Sequence, residues 1–103
     1  MQKIKLKSEC GNSSLQLYFV ELPSRKLAVI EEVYTKPEHR GKGLSTNLLK
    51  VAIFRSKEMG ADCIELTVRQ DAPKIKEFYE SLGFEDRKQV AMRLSFRDVT
   101  WKK

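Results

Sequence analysis

The stretch Arg40-Gly41-Lys42-Gly43 constrains this chain more than any other, because the hydrophobic period changes there. Before it, apolar residues alternate with polar ones, the mark of half-buried strands. After it, Leu44, Leu48, Val51 and Ala52 recur at helical spacing, and Leu49 and Ile53 widen the apolar face. A strand, a glycine-rich turn and a helix start in direct succession make a βα unit. The first turn of a helix carries backbone N–H groups without intrahelical partners, and the macrodipole adds partial positive charge at the same end. Such a junction is a ready anion site. Gly41 and Gly43 let the backbone come close to phosphate oxygens, Arg40 and Lys42 add attraction, and Ser45 and Thr46 bring hydroxyl donors. The stretch is neither a Walker A loop, GxxxxGK[ST], nor the dinucleotide fingerprint, GxGxxG. A solvated basic loop is the alternative.

The elements around this junction follow from the pattern. Ile4 and Leu6 alternate with lysines in a first strand, and Gly11 to Ser14 reads as a turn. Leu15–Leu22 reads as a second strand, broken by Pro23-Ser24, and Leu27–Thr35 as a third, giving an antiparallel meander. Gly60 stops the first helix. Cys63–Val68 reads as a strand, and Ile75, Phe78, Tyr79 and Leu82 mark a second helix between Pro73 and Gly83. Val90, Met92, Leu94 and Phe96 alternate along a last strand, and Trp101 lies in a short basic tail. The predicted order is βββαβαβ, an α/β chain with a mixed sheet and a parallel strand pair joined by a right-handed crossover. Its 103 residues suggest one domain, 1–103.

Two further motifs complete a resemblance. Arg40 to Ser45 resembles the R/Q-x-x-G-x-G/A motif of the GNAT family of N-acetyltransferases. Upstream, "IEEVYTKPEHRGKG" looks like the strand leading into that motif, and downstream "EFYESLGF", Glu77 to Phe84, resembles the family's second conserved block. The similarity runs from about Leu27 to Leu94. It implies a GNAT-like sheet in which the strand before the loop is bulged and splays from the next parallel strand. That gap would form the acetyl-CoA cleft, with the pantetheine arm pairing to strand backbone as an extra strand would.

The resemblance implies roles for particular residues. Val33, Tyr34 and Thr35 would line the pantetheine arm, the amide of Val33 polarising the thioester carbonyl. Arg40, Gly41, Lys42, Gly43, Leu44 and Ser45 would carry the pyrophosphate. Tyr79 matches the family's general acid for the departing thiolate, although its place on an apolar helix face also suits a core residue. Glu31 matches a glutamate that acts as base through water in some relatives, with Glu32 as the competing neighbour. A buried carboxylate there would have its pKa raised toward the useful range. His39 is expected to be exposed and Cys63 to be packing. The implied reaction is direct transfer of an acetyl group from acetyl-CoA to an amine of a protein or small molecule, with no metal.

Three departures qualify the match. Ser45 stands where Gly or Ala is usual, and Ala72 where the family has asparagine. Met1 to Lys26 has room only for strands and turns, where family members carry one or two helices that wall the acceptor site. Two other functions therefore stay open: a non-catalytic acyl-CoA-binding module, and a basic nucleic-acid-binding protein. The net charge of +6 suits anionic partners in general, but no nucleic-acid-binding motif is present. With no secretory signal, no bilayer-spanning run and only two cysteines in no metal or disulfide pattern, the expectation is a cytoplasmic protein, free of membrane and with a homodimer left open.

Overall fold

A computed structural model describes residues 1–97. Trp101 and the basic tail lie outside the described residues. The chain falls into two compact units, the first spanning Met1–Leu66 and the second beginning at Thr67.

In the first unit, strands β1 (Gln2–Lys7), β2 (Ser13–Glu21), β3 (Lys26–Thr35) and β4 (Cys63–Glu65) form one sheet in the order β1-β2-β3-β4. The meander read from the sequence is present: β1 pairs antiparallel with β2, and β2 with β3. β4 pairs parallel with β3 across helix α1 (Leu44–Glu58), so the sheet is mixed. Ser13 and Ser14 open β2 instead of sitting in the turn, because the preceding residues already reverse the chain. Gly11, at φ 74°, donates its N–H to the Ser8 carbonyl, and Ser8 donates to Ser13.

One face of the sheet is closed by α1. Leu15, Leu17 and Phe19 of β2, Ala28 and Ile30 of β3, and Leu48, Leu49 and Ala52 of α1 form the buried core. Those helix positions repeat at the spacing that keeps side chains on one face. The helix ends as expected: Gly60 adopts φ 88°, and Ala61 N–H reaches back to the Ser56 carbonyl at 3.0 Å. Val51, assigned to the apolar face from its spacing, is instead exposed.

A bulge interrupts the β2–β3 ladder. Gln16 pairs with Glu31 and Ser14 with Tyr34, so Glu32 and Val33 together stand opposite Leu15. Glu32 takes a left-handed φ of 54°. The extra residue shifts the alternation of β3: Ala28 and Ile30 point to the core before it, and Thr35 after it. On the other side of β3, the parallel ladder to β4 covers only Leu27–Val29. From Ile30 to Thr35, β3 runs on without a β4 partner, the arrangement expected of a splayed strand pair.

β4 is shorter than the predicted Cys63–Val68. In the second unit, helix α2 (Pro73–Ser81) starts at its proline and is followed by Gly83 at φ 101°, as the pattern predicts. The last strand, expected over Val90–Phe96, does not form. Its alternation is real, but a strand is stabilised by a ladder partner, and among the described residues the second unit contains no strand to supply one. No helix of the described residues is long and apolar enough to cross a membrane.

Two substitutions test this account. Leu49→Ala, at a fully buried position, should lower the unfolding free energy by about 2–5 kcal/mol in urea melts. Glu32→Gly should raise the urea midpoint, with a gain of up to about 1 kcal/mol, because glycine accepts the left-handed conformation that costs a glutamate.

Candidate functional site

The second half of β3, the connection that follows and the start of α1 form a continuous arc in the first unit. A short 3-10 turn, Pro37–His39, leads from the strand to the glycines. Thr35 is the hinge pin of this arc. Its side chain is buried by the bulge, and its hydroxyl lies 2.9 Å from Ser13 Oγ and 2.6 Å from Ser45 Oγ. Ser13 Oγ also donates to the Tyr34 carbonyl at 3.2 Å. This hydroxyl chain ties β2, β3 and the first turn of α1 together. Each such bond contributes about 1 kcal/mol, and an unmade one in a buried place costs more.

The arc is fastened at two further points. Arg40 Nε donates to the Thr35 carbonyl at 3.0 Å, and its guanidinium carbon stands 5.9 Å from the centre of the Tyr34 ring. Asn12, in the β1–β2 turn, accepts from Lys36 N–H through its carbonyl and places its amide 3.4 Å from His39 Nδ1. His39 is therefore half-buried and not the exposed residue expected from the sequence; it helps hold the turn. Nothing in the sequence pattern links Asn12 or Ser13 to this site, because both reach it through strand pairing.

The end of the arc carries positive charge and open backbone. Gly41 and Gly43 adopt φ 78° and 79°, and a methyl group placed on either would meet no atom within 4 Å. The backbone is thus exposed to approach on its open side. Gly43 is the N-cap of α1, and no side chain caps the helix. The first turn holds no acidic residue, although carboxylates are the usual complement to this end of the dipole. Instead Arg40 and Lys42 precede it. Unlike the expectation from its place at the helix start, the Ser45 hydroxyl is engaged by Thr35, so what Ser45 and Leu44 offer at this end is backbone N–H. Beside this turn, β3 has no β4 partner from Ile30 to Thr35.

Glu31 lies across from Gln16, on the sheet face opposite α1, and is exposed. The burial anticipated for it is not found, because the residues on that side of β3 carry no helix of the first unit. Glu32 occupies the bulge and is also exposed. Neither forms an ion pair among the described residues. Gln16 Oε1 is buried without a hydrogen-bond partner.

Tyr79 belongs to the second unit. Its ring makes edge-on contacts with Phe78 and Phe84, with centroids 5.2 and 5.8 Å away. Burial pushes the phenol pKa above its ordinary value of 10.0, so the group stays protonated through neutral pH. In the same unit Asp86 accepts from Lys76 Nζ at 2.8 Å and from Lys88 N–H, which hold its carboxyl far below the usual carboxylate range.

Comparison with known proteins agrees with this geometry. The chain is 36% identical over 69 residues to an uncharacterized N-acetyltransferase of Methanocaldococcus jannaschii, covering 67% of this chain and 30% of that protein. It is 29% identical over 68 residues to thialysine N-epsilon-acetyltransferase of Sus scrofa, covering 66% of this chain and 40% of that one. The chain thus spans less than half the length of these curated relatives. Among solved structures, a transcriptional regulator from Bacillus halodurans C-125 superposes with a TM-score of 0.75 at 33% identity, over 82% of this chain and 57% of that one. Residues 13–84, which contain the bulged strand, the glycine loop and the α2 block, match the acetyltransferase (GNAT) family, and the chain belongs to that family.

Proposed function

We propose that the chain carries the acetyl-CoA site of an N-acetyltransferase that passes an acetyl group directly to an amine. The observation that carries this reading is the uncapped, acid-free start of α1 behind two left-handed glycines, at the end of a bulged strand that has no β4 partner beyond Val29.

Leu44 and Ser45 N–H, with the glycine backbone, would hold the diphosphate, and Arg40 and Lys42 would attract it. Val33, Tyr34 and Thr35 would align the pantetheine arm along the open β3 edge. Acetyl-CoA supplies an activated acetyl thioester. Val33 sits in the bulge, where its amide is the candidate donor to the thioester oxygen as negative charge develops there. An acceptor amine is mostly protonated at neutral pH and must lose a proton before it attacks. Glu31 is the candidate base, directly or through water, and its exposure leaves it accessible to an incoming ammonium. As the carbon–nitrogen bond forms and the carbon–sulfur bond breaks, the sulfur needs a proton. Tyr79 is the candidate donor on the family resemblance alone, its phenol being protonated at neutral pH.

Calorimetric titration with acetyl-CoA tests the site. Wild type should bind, and Gly43→Glu should abolish binding, by placing a strained, anionic side chain where the diphosphate belongs. Arg40→Ala should weaken it by about tenfold or more. No binding to wild type would overturn the reading.

Turnover, read as coenzyme A release with an amine acceptor, separates an enzyme from a module that only binds acyl-CoA. Glu31→Gln and Tyr79→Phe should leave acetyl-CoA binding nearly intact and lower kcat by about 10²-fold or more. With wild type, activity should fall at alkaline pH only above the ordinary phenol value of 10.0, because the raised pKa keeps the proton in place below it. Binding without turnover at any pH would support the non-catalytic module.

A further inference from the structure

The sheet face opposite α1 is organised by register. In β1 and β2, Lys3 pairs with Tyr18 and Lys5 with Gln16, and Gln16 pairs in turn with Glu31 of β3. Residues directly opposite on neighbouring strands share a face. Lys3, Lys5 and Lys7 alternate along β1, so all three stand on the face that carries Glu31. All three are exposed, and none has an ion-pair partner among the described residues. Lys3 Nζ lies 5.9 Å from the centre of the Tyr18 ring, which orients one of them without neutralising it.

We infer that this lysine row selects the acceptor: the amine that reaches Glu31 belongs to an acidic peptide segment lying across the strands toward β1. The inference rests on the transferase reading above, and it names the substrate class. Charge complementarity carries it. A polycationic amine would be drawn to Glu31 but repelled by the row beside it, whereas an amine flanked by carboxylates meets opposite charge at both places. The spacing favours an extended chain over a small phosphorylated amine. The lysines stand about 7 Å apart along β1, so the row spans more than one anionic group can reach. Lys5 and Glu31 are two strand spacings apart, about 10 Å, which is about three residues of extended peptide. An acidic residue about three positions from the acceptor amine therefore meets the row. A nucleic acid is disfavoured, since its continuous phosphate backbone would also have to cross exposed Glu31 and Glu32 on β3, two strands away, where a peptide presents its amine.

The test uses short fluorescent peptides containing one lysine and a blocked N-terminus, flanked by glutamates, by serines or by arginines. A single-stranded oligonucleotide and a phosphorylated small amine complete the set. Binding to the full chain is read by anisotropy or by competition, and acetylation in parallel by coenzyme A release. The glutamate-flanked peptide should bind about tenfold tighter than the arginine-flanked one, with the difference shrinking as salt rises. The triple variant Lys3→Gln, Lys5→Gln, Lys7→Gln should erase that preference, weakening the acidic peptide about tenfold, while acetyl-CoA titration and the thermal melt show that the fold and cofactor site remain. Equal binding of acidic and basic peptides, an unchanged preference in the triple variant, or tighter binding of the oligonucleotide or small amine would each overturn the inference. Selective binding of the acidic peptide with no coenzyme A release would instead overturn the transferase reading and leave the lysine row as a recognition surface.

Discussion

The β-bulge at Glu32 and Val33 is the constraint on which the first unit turns. A strand's side chains alternate with a period of two, so a single inserted residue exchanges the faces for everything that follows. Without it, the alternation that buries Ala28 and Ile30 would also direct Glu32 into the core and turn Thr35 out of it. With it, Glu32 stays at the surface and Thr35 is delivered to the point where β2, β3 and α1 meet. The left-handed conformation of Glu32 is the local cost, about 1–2 kcal/mol for a residue other than glycine. The hydroxyl contacts of Thr35 with Ser13 and Ser45, and the Arg40 bond to its carbonyl, offset that cost while fixing the helix start.

The exposed helix start follows from that fixation. A helix N-terminus held by its neighbours, left uncapped and preceded by two basic residues, carries uncompensated positive potential. Most helices resolve this with a capping hydroxyl or an early carboxylate. Here the available hydroxyl, that of Ser45, is turned back toward the sheet. Stability has been left on the table at a place where a ligand with negative charge can supply it. The short β3–β4 ladder acts in the same way: it leaves backbone hydrogen-bonding groups of Ile30–Thr35 without a β4 partner, next to the glycine loop. Both features arise from the same few residues, Ile30 to Ser45.

The first helix, the meander and the glycine turn were legible in the sequence because each rests on local rules. Lysine alternation in β1, the run of branched and aromatic residues in β2 and the helical spacing after Gly43 are all signals read within a few residues. The strand expected over Val90–Phe96 obeyed the same alternation and failed, since pairing is a relation between segments and alternation is only a property of one. Exposure of Glu31, engagement of the Ser45 hydroxyl and the capture of His39 by Asn12 depend on contacts across 10 to 27 positions of chain. No local pattern encodes these.

What the sequence alone determined is the order of elements through α2, the position of the glycine turn and the family to which its motifs belong, because period, glycine placement and charge are local properties. Tertiary structure decided which side of the sheet each candidate residue faces. The bulge resets the alternation of β3 for Thr35, while the regular register before it places Glu31 in line with Gln16 and Lys5, a row assembled from three separate stretches of chain. Face and register come from how strands pair around an inserted residue, and that pairing is fixed by burying Leu15, Leu17 and Ile30 against α1.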